Sequence, residues 1–123
     1  MIAGIVVTHG SLGKAVLDAV FSIAGDVSNL MWISNEGLSA AELSGAIADA
    51  ARTLGDLPVV IFVDVFGGSC WRAAKTARVS DSTVVTGFNL AMLLSFVHKR
   101  DSVPFSDLAA VLDTDARRGI RVD

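Results

Sequence analysis

The fold class this sequence predicts is an open α/β sheet, its strands parallel and its helices on both faces. Three observations lead there. Apolar runs of strand length alternate with segments of helical periodicity along the whole chain. The strongest run, Val59-Val60-Ile61-Phe62-Val63, has no polar interruption, which is how a strand buried on both faces reads. The chain has 123 residues, 52% of them hydrophobic and 19% charged, enough for one deep core and too few for a second domain.

Each element has a local reason. Ile2–Thr8 is a first strand that runs straight into Thr8-His9-Gly10. Leu12–Ala24 carries Leu12, Val16, Val20 and Ile23 at helical spacing, and Asn29–Ile33 is a short second strand. Ser39-Ala40-Ala41-Glu42 is a capping box, after which Leu43, Ile47, Ala51 and Leu54 continue one helical face. Pro58–Asp64 is the central strand, followed by the turn Gly67-Gly68-Ser69 and a helix through about Arg78. Thr83–Gly87 is a fourth strand and Leu90–Lys99 a helix that Pro104 breaks; Ser106–Ala116 is the last helix and Gly119–Val122 a short fifth strand. Such alternation implies right-handed crossovers. In a flavodoxin-like strand order the first and third strands are neighbours, and the ligand crevice lies between their carboxyl ends.

Several function classes drop out. No apolar run approaches the roughly 18 residues that span a bilayer, and no basic region precedes the first apolar stretch, so a cytoplasmic chain without a signal peptide is expected. The single cysteine, Cys70, makes no internal disulfide, and no Cys/His spacing suggests a metal cluster. Net charge is −3, with two basic and seven acidic residues up to Trp71 and eight basic and six acidic beyond it. That asymmetry falls short of the dense basic stripe that nucleic acid requires.

The chemistry concentrates at two strand ends. The expected topology sets His9 beside Asp64, with Ser69 at the start of the following helix. A neutral imidazole is a nucleophile through one nitrogen only, and a carboxylate that accepts the other nitrogen's proton fixes the tautomer and stabilises the cation formed on attack. Consecutive glycines let backbone approach an anion, and a helix N-terminus offers N–H groups and a favourable dipole. His9, Asp64 and the Gly67-Gly68-Ser69 turn therefore make a phosphoryl-accepting site, whereas the absence of a Walker lysine and of Gly-x-Gly-x-x-Gly argues against a nucleotide as direct donor.

Three segments, Thr8-His9-Gly10, Phe62-Val63-Asp64-Val65-Phe66-Gly67-Gly68-Ser69 and Gly87-Phe88-Asn89-Leu90-Ala91-Met92-Leu93, resemble the mannose-class IIA domains of the bacterial sugar phosphotransferase system. The resemblance covers essentially the whole of residues 1–123 as one domain. It implies His9 as phosphoryl acceptor, Asp64 as its orienting partner and Gly67, Gly68 and Ser69 as the phosphate cradle, with Thr8, Phe66, Arg72, Asn89 and Met92 as candidate walls. It also implies phospho-HPr as donor, a IIB component as acceptor and no metal or other cofactor; with the chain stopping near Asp123, the acceptor is expected on a separate polypeptide. Membrane association is then only indirect, through the transporter, and the protein is a homodimer in which a terminal strand such as Gly119–Val122 crosses, antiparallel, to the other subunit's sheet.

Departures from the family pattern are local. Cys70, Trp71 and Arg72 stand where the family often reads proline, any residue and asparagine, and Ala91 replaces its usual proline. Arg72, Lys75 and Arg78 recur every three residues and share a helical face. Cys70 reads first as a structural thiol, although a helix N-terminus is a place where thiol pKa values fall. His98 complements a helix C-terminus, and Trp32 and Trp71 read as packing or rim residues. Two other readings compete. In a receiver-like switch Asp64 would be the acceptor, but the acidic pair that holds magnesium in receivers is missing after the first strand. A regulatory phospho-switch or binding module would use the same fold with no role in sugar transport.

Overall fold

A computed structural model describes all 123 residues. Strands β1 (Ala3–Thr8), β2 (Leu30–Ser34), β3 (Val59–Val63) and β4 (Ser82–Thr86) alternate with helices α1 (Leu12–Ala24), α2 (Ala40–Thr53), α3 (Ser69–Thr76) and α4 (Leu90–Lys99), and α5 (Phe105–Arg118) closes the chain. All pairings are parallel, in the order β2-β1-β3-β4. This is the flavodoxin-like order expected from the alternation.

The strand sequences decide who is central. β1 and β3 are buried along their whole length, as their unbroken apolar runs require, while the edge strands β2 and β4 are mostly half-buried. Alternation then splits the core in two. Ala3, Ile5, Val7, Val59, Ile61 and Val63 face α2 and α3; Val6, Val60 and Phe62 face α1, α4 and α5. The capping box at Ser39 forms as expected, with Ser39 Oγ accepting from the Glu42 amide and Glu42 accepting from the Ser39 amide.

On the second face, Phe62 and Phe96 meet edge-to-face, their ring centroids 5.2 Å apart. Both rings lie against Gly4, where a Cβ would come 2.5 Å from Leu30 Cδ2, 3.2 Å from Phe96 and 3.3 Å from Phe62. At the amino end of the sheet Arg100 is buried. Its guanidinium donates to the Ile2 carbonyl and to Ser28 Oγ, lies 3.6 Å from the Asp26 carboxylate and stacks over Phe96. This one cation ties β1, the α1–β2 connection and the end of α4 together, so its burial is compensated on every side.

One expectation is corrected. α3 stops at Thr76, and Arg78 lies beyond it with φ of 48°, a left-handed conformation no helix continues through; Arg78 therefore does not share a helical face with Arg72 and Lys75. Gly119–Val122 pairs with no strand of its own chain. The Gly119 and Ile120 amides instead bond back to the Ala116 and Arg117 carbonyls as the end of α5, which leaves Ile120 73% and Val122 97% exposed.

Gly4→Ala is expected to lower stability by about 1–3 kcal/mol, because the added methyl group displaces the Leu30 side chain and presses on the Phe62 and Phe96 rings. A urea midpoint reduced at unchanged slope would report it; an unaltered midpoint would show that Leu30 and the ring pair give way at no cost.

Candidate active site

β1 and β3 pair with Val7 opposite Val63, so the residues that follow them emerge side by side at the carboxyl end of the sheet. There a single oxygen, Asp64 Oδ2, accepts two hydrogen bonds from His9. The His9 backbone amide donates at 2.9 Å, and Nδ1 lies 2.9 Å away. The second oxygen, Oδ1, accepts from the Val65 amide at 3.0 Å. A carboxylate can only accept, so the proton sits on Nδ1 and the lone pair on Nε2. The Asp64 side chain is 9% exposed and that of His9 48%, so the orienting group is sheltered while the ring is presented to solvent.

The surrounding backbone is cut to fit. Gly67 has φ of 81°, in the left-handed region, and carries the chain from Asp64 round to α3. A Cβ at Gly68 would lie 3.6 Å from His9 Cε1, so Gly68 borders the ring directly. Gly68 is also the N-cap of α3 and supplies no side chain to it, leaving the first-turn amides and the exposed Ser69 hydroxyl as donors beside the imidazole. On the other side, Asn35 Oδ1 accepts from the Gly10 amide at 3.2 Å while the Asn35 amide donates to the Thr8 carbonyl. Sequence reasoning missed Asn35. Its signal was its position, the first residue after a strand that ends at the same edge as His9.

Electrostatics follow from this packing. Burial pushes the Asp64 carboxyl up, but the hydrogen bonds from the His9 amide and ring and the ring's charge outweigh it, so Asp64 lies below the ordinary carboxylate value. Cys70 is fully buried, with Sγ 3.9 Å from His9 Nδ1. Desolvation and the Asp64 charge raise its pKa, against the lowering that its helix-terminal position suggested.

The remaining wall candidates scatter. Thr8 is buried, and its Oγ1 accepts from the Gly13 amide at 2.8 Å, which fixes the entry to α1 and takes it out of the wall. Met92 is a core residue. Asn89 caps α4 by accepting from the Met92 amide and clamps α5 by donating to the Ala116 carbonyl, both at 2.9 Å. Both border a separate cleft of about 270 Å³ between the end of β4 and α5. Arg72 is exposed and lines a groove between α2 and α3 with Ser69. Phe66 is 72% exposed and tilts against Trp71, ring centroids 5.1 Å apart. None of the surface clefts includes His9 or Asp64.

Comparison with known proteins converges on one family. The family model described as "PTS system fructose IIA component" matches residues 3–112. The mannose-specific EIIAB component of Escherichia coli K12 is 28% identical over 128 residues; the match covers 98% of this chain and 39% of that protein, so the chain spans about two-fifths of its length. The sorbose-specific EIIA component of Klebsiella pneumoniae is 29% identical over 118 residues, covering 94% of this chain and 87% of the relative. Among solved structures, a phosphotransferase system component EIIA from Streptococcus agalactiae superposes with a TM-score of 0.88 at 26% identity, covering 100% of this chain and 97% of that one.

Because the Asp64 carboxyl titrates lower in the folded chain than in the unfolded one, it contributes stability above the ordinary carboxylate range, and that contribution is lost as pH falls through its folded value. Asp64→Asn is expected to narrow the gap between urea midpoints measured at neutral pH and near pH 3. A gap as wide as in the parent chain would assign the acid sensitivity to other carboxylates.

Proposed function

This chain belongs to the mannose-class family of phosphotransferase-system IIA components, and from that premise we propose that it is a cytoplasmic phosphoryl carrier that accepts phosphate on His9 Nε2 from phospho-HPr and hands it to a IIB component. The observation that carries the reading is the double hold of Asp64 on His9. With Nδ1 protonated and bound, the Nε2 lone pair attacks phosphorus as the donor's N–P bond breaks. The imidazole becomes an imidazolium whose charge rests against Asp64, and reversal of the same step releases the phosphoryl group to the next acceptor. The amides at the start of α3, with Gly67, Gly68 and Ser69, take the phosphoryl oxygens.

The surface around His9 supports protein partners over a small substrate. The ring stands on open surface outside every cleft, and beside the site Val65 and Phe66 expose apolar side chains that a docking protein would cover. In no helix is there a run long and apolar enough to cross a membrane, in keeping with a carrier that meets the transporter only through IIB. In the homodimer, Gly119–Val122 would bury Ile120 and Val122 against the sheet of a second copy.

Incubation with phosphoenolpyruvate, enzyme I and HPr should give an acid-labile, base-stable adduct that His9→Ala abolishes. Asp64→Asn should keep the fold and slow phosphorylation by about 10²- to 10⁴-fold, the cost of losing the correct tautomer. An adduct that persists in His9→Ala would sink the assignment. Removal of residues 119–123 should convert the dimer to monomer in sedimentation velocity; an unchanged association state would exclude strand exchange as its basis.

A further inference from the structure

Cys70 is unexplained by phosphoryl transfer. It is fully buried with a raised thiol pKa, so it is no nucleophile, yet its sulfur is turned toward His9. One ligating atom each from His9, Asp64 and Cys70 lies within 4.8 Å of the other two, gathered from β1, β3 and α3. We propose that these three side chains form a zinc site, and that zinc and phosphate exclude each other at His9. The site stands on its own geometry; only its regulatory consequence rests on the carrier reading above.

The donor set selects the metal. Imidazole nitrogen, carboxylate oxygen and thiolate sulfur together suit Zn²⁺ in a three-ligand site completed by water, whereas Mg²⁺ and Ca²⁺ want oxygen throughout. Normal zinc bond lengths in a tetrahedron place nitrogen and oxygen about 3.3 Å apart and sulfur and nitrogen about 3.6 Å apart. Here His9 Nδ1 to Asp64 Oδ2 is 2.9 Å and Cys70 Sγ to Nδ1 is 3.9 Å. Both separations are within a few tenths of an ångström of target; the sulfur–oxygen pair, within 4.8 Å, would have to close toward the roughly 3.5 Å that a zinc tetrahedron sets. Asp64 is held from behind, with the His9 amide on Oδ2 and the Val65 amide on Oδ1, which is the outer support a ligating carboxylate needs. The half-exposed His9 ring is the solvent-facing member of the cluster and the Cys70 sulfur its buried one.

The proton balance explains the exclusion. Metal takes the Nδ1 lone pair, so the imidazole proton moves from Nδ1 to Nε2, and the only proton released is that of the Cys70 thiol. Nε2–H then has no lone pair with which to attack phosphorus. Conversely, attack through Nε2 leaves Nδ1 protonated and unable to bind metal. Zinc and the phosphoryl group therefore cannot occupy His9 together.

Two measurements on tag-free protein decide the matter. Titration with Co²⁺ should produce a near-ultraviolet thiolate-to-cobalt band that saturates at one equivalent, is displaced by Zn²⁺ and is missing in Cys70→Ser. Phosphorylation from purified phospho-HPr, with enzyme I removed, should be slowed by Zn²⁺ and restored by a chelator. Cys70→Ser should accept phosphate at the parent rate without metal, and its sensitivity to Zn²⁺ should fall by more than about tenfold. Absence of the cobalt band from the parent chain, or equal zinc inhibition of Cys70→Ser, overturns the proposal. Failure of the chain to accept phosphate under any metal condition overturns the carrier reading instead, and the cobalt band still decides the site.

Discussion

Everything at the reactive end depends on the parallel pairing of β1 with β3. It brings together residues 55 apart in sequence, and it does so with Val7 against Val63, so that His9 and Asp64 leave the sheet as neighbours. The same pairing builds the core, because these are the two strands buried on both faces. A slip of one residue would exchange the faces of every side chain on a strand, driving Ile5 and Val7 into the layer shaped around Phe62 and Phe96. Correct folding and correct placement of the histidine are therefore the same event.

The two ends of the sheet treat charge in opposite ways. At the amino end Arg100 is sealed in and saturated by a carbonyl, a hydroxyl and a ring face, with a carboxylate close by; it locks elements together. At the carboxyl end the Asp64 carboxylate is sheltered while the group it serves faces outward. One of its oxygens holds both the backbone and the side chain of His9, so ring position and tautomer have a common cause. That economy suits the carrier role proposed for His9, in which the reactive nitrogen would be presented to other proteins without losing its orientation.

The turn after β3 carries the residues in which this chain departs from the family pattern. Gly67 is constrained by a left-handed backbone, and Gly68 lies in contact distance of the imidazole. Cys70, Trp71 and Arg72 follow immediately, and each has a distinct setting: sulfur toward the imidazole, an indole tilted against Phe66, and a guanidinium in the α2–α3 groove.

Periodicity alone determined the architecture. The unbroken run at 59–63, the capping box at Ser39 and the spacing along α1 and α4 are local signals, and they placed strands and helices to within a residue or two. His9, Asp64 and the glycine turn were legible too, because strand ends in such a sheet converge whatever the details of packing. What the sequence left open depended on contacts between distant residues. Thr8 and Met92 looked like wall residues, but one is spent on the Gly13 amide and the other in the core. The hold of Asn35 on Gly10 requires β2 to end level with β1, which no local pattern announces. Arg78 carries the right charge at the right spacing, yet a left-handed backbone takes it off the helix. Cys70 gave no metal signal because its partners lie 61 and 6 residues away in sequence, and only the closing of α3 onto the β1–β3 edge brings the three donors together.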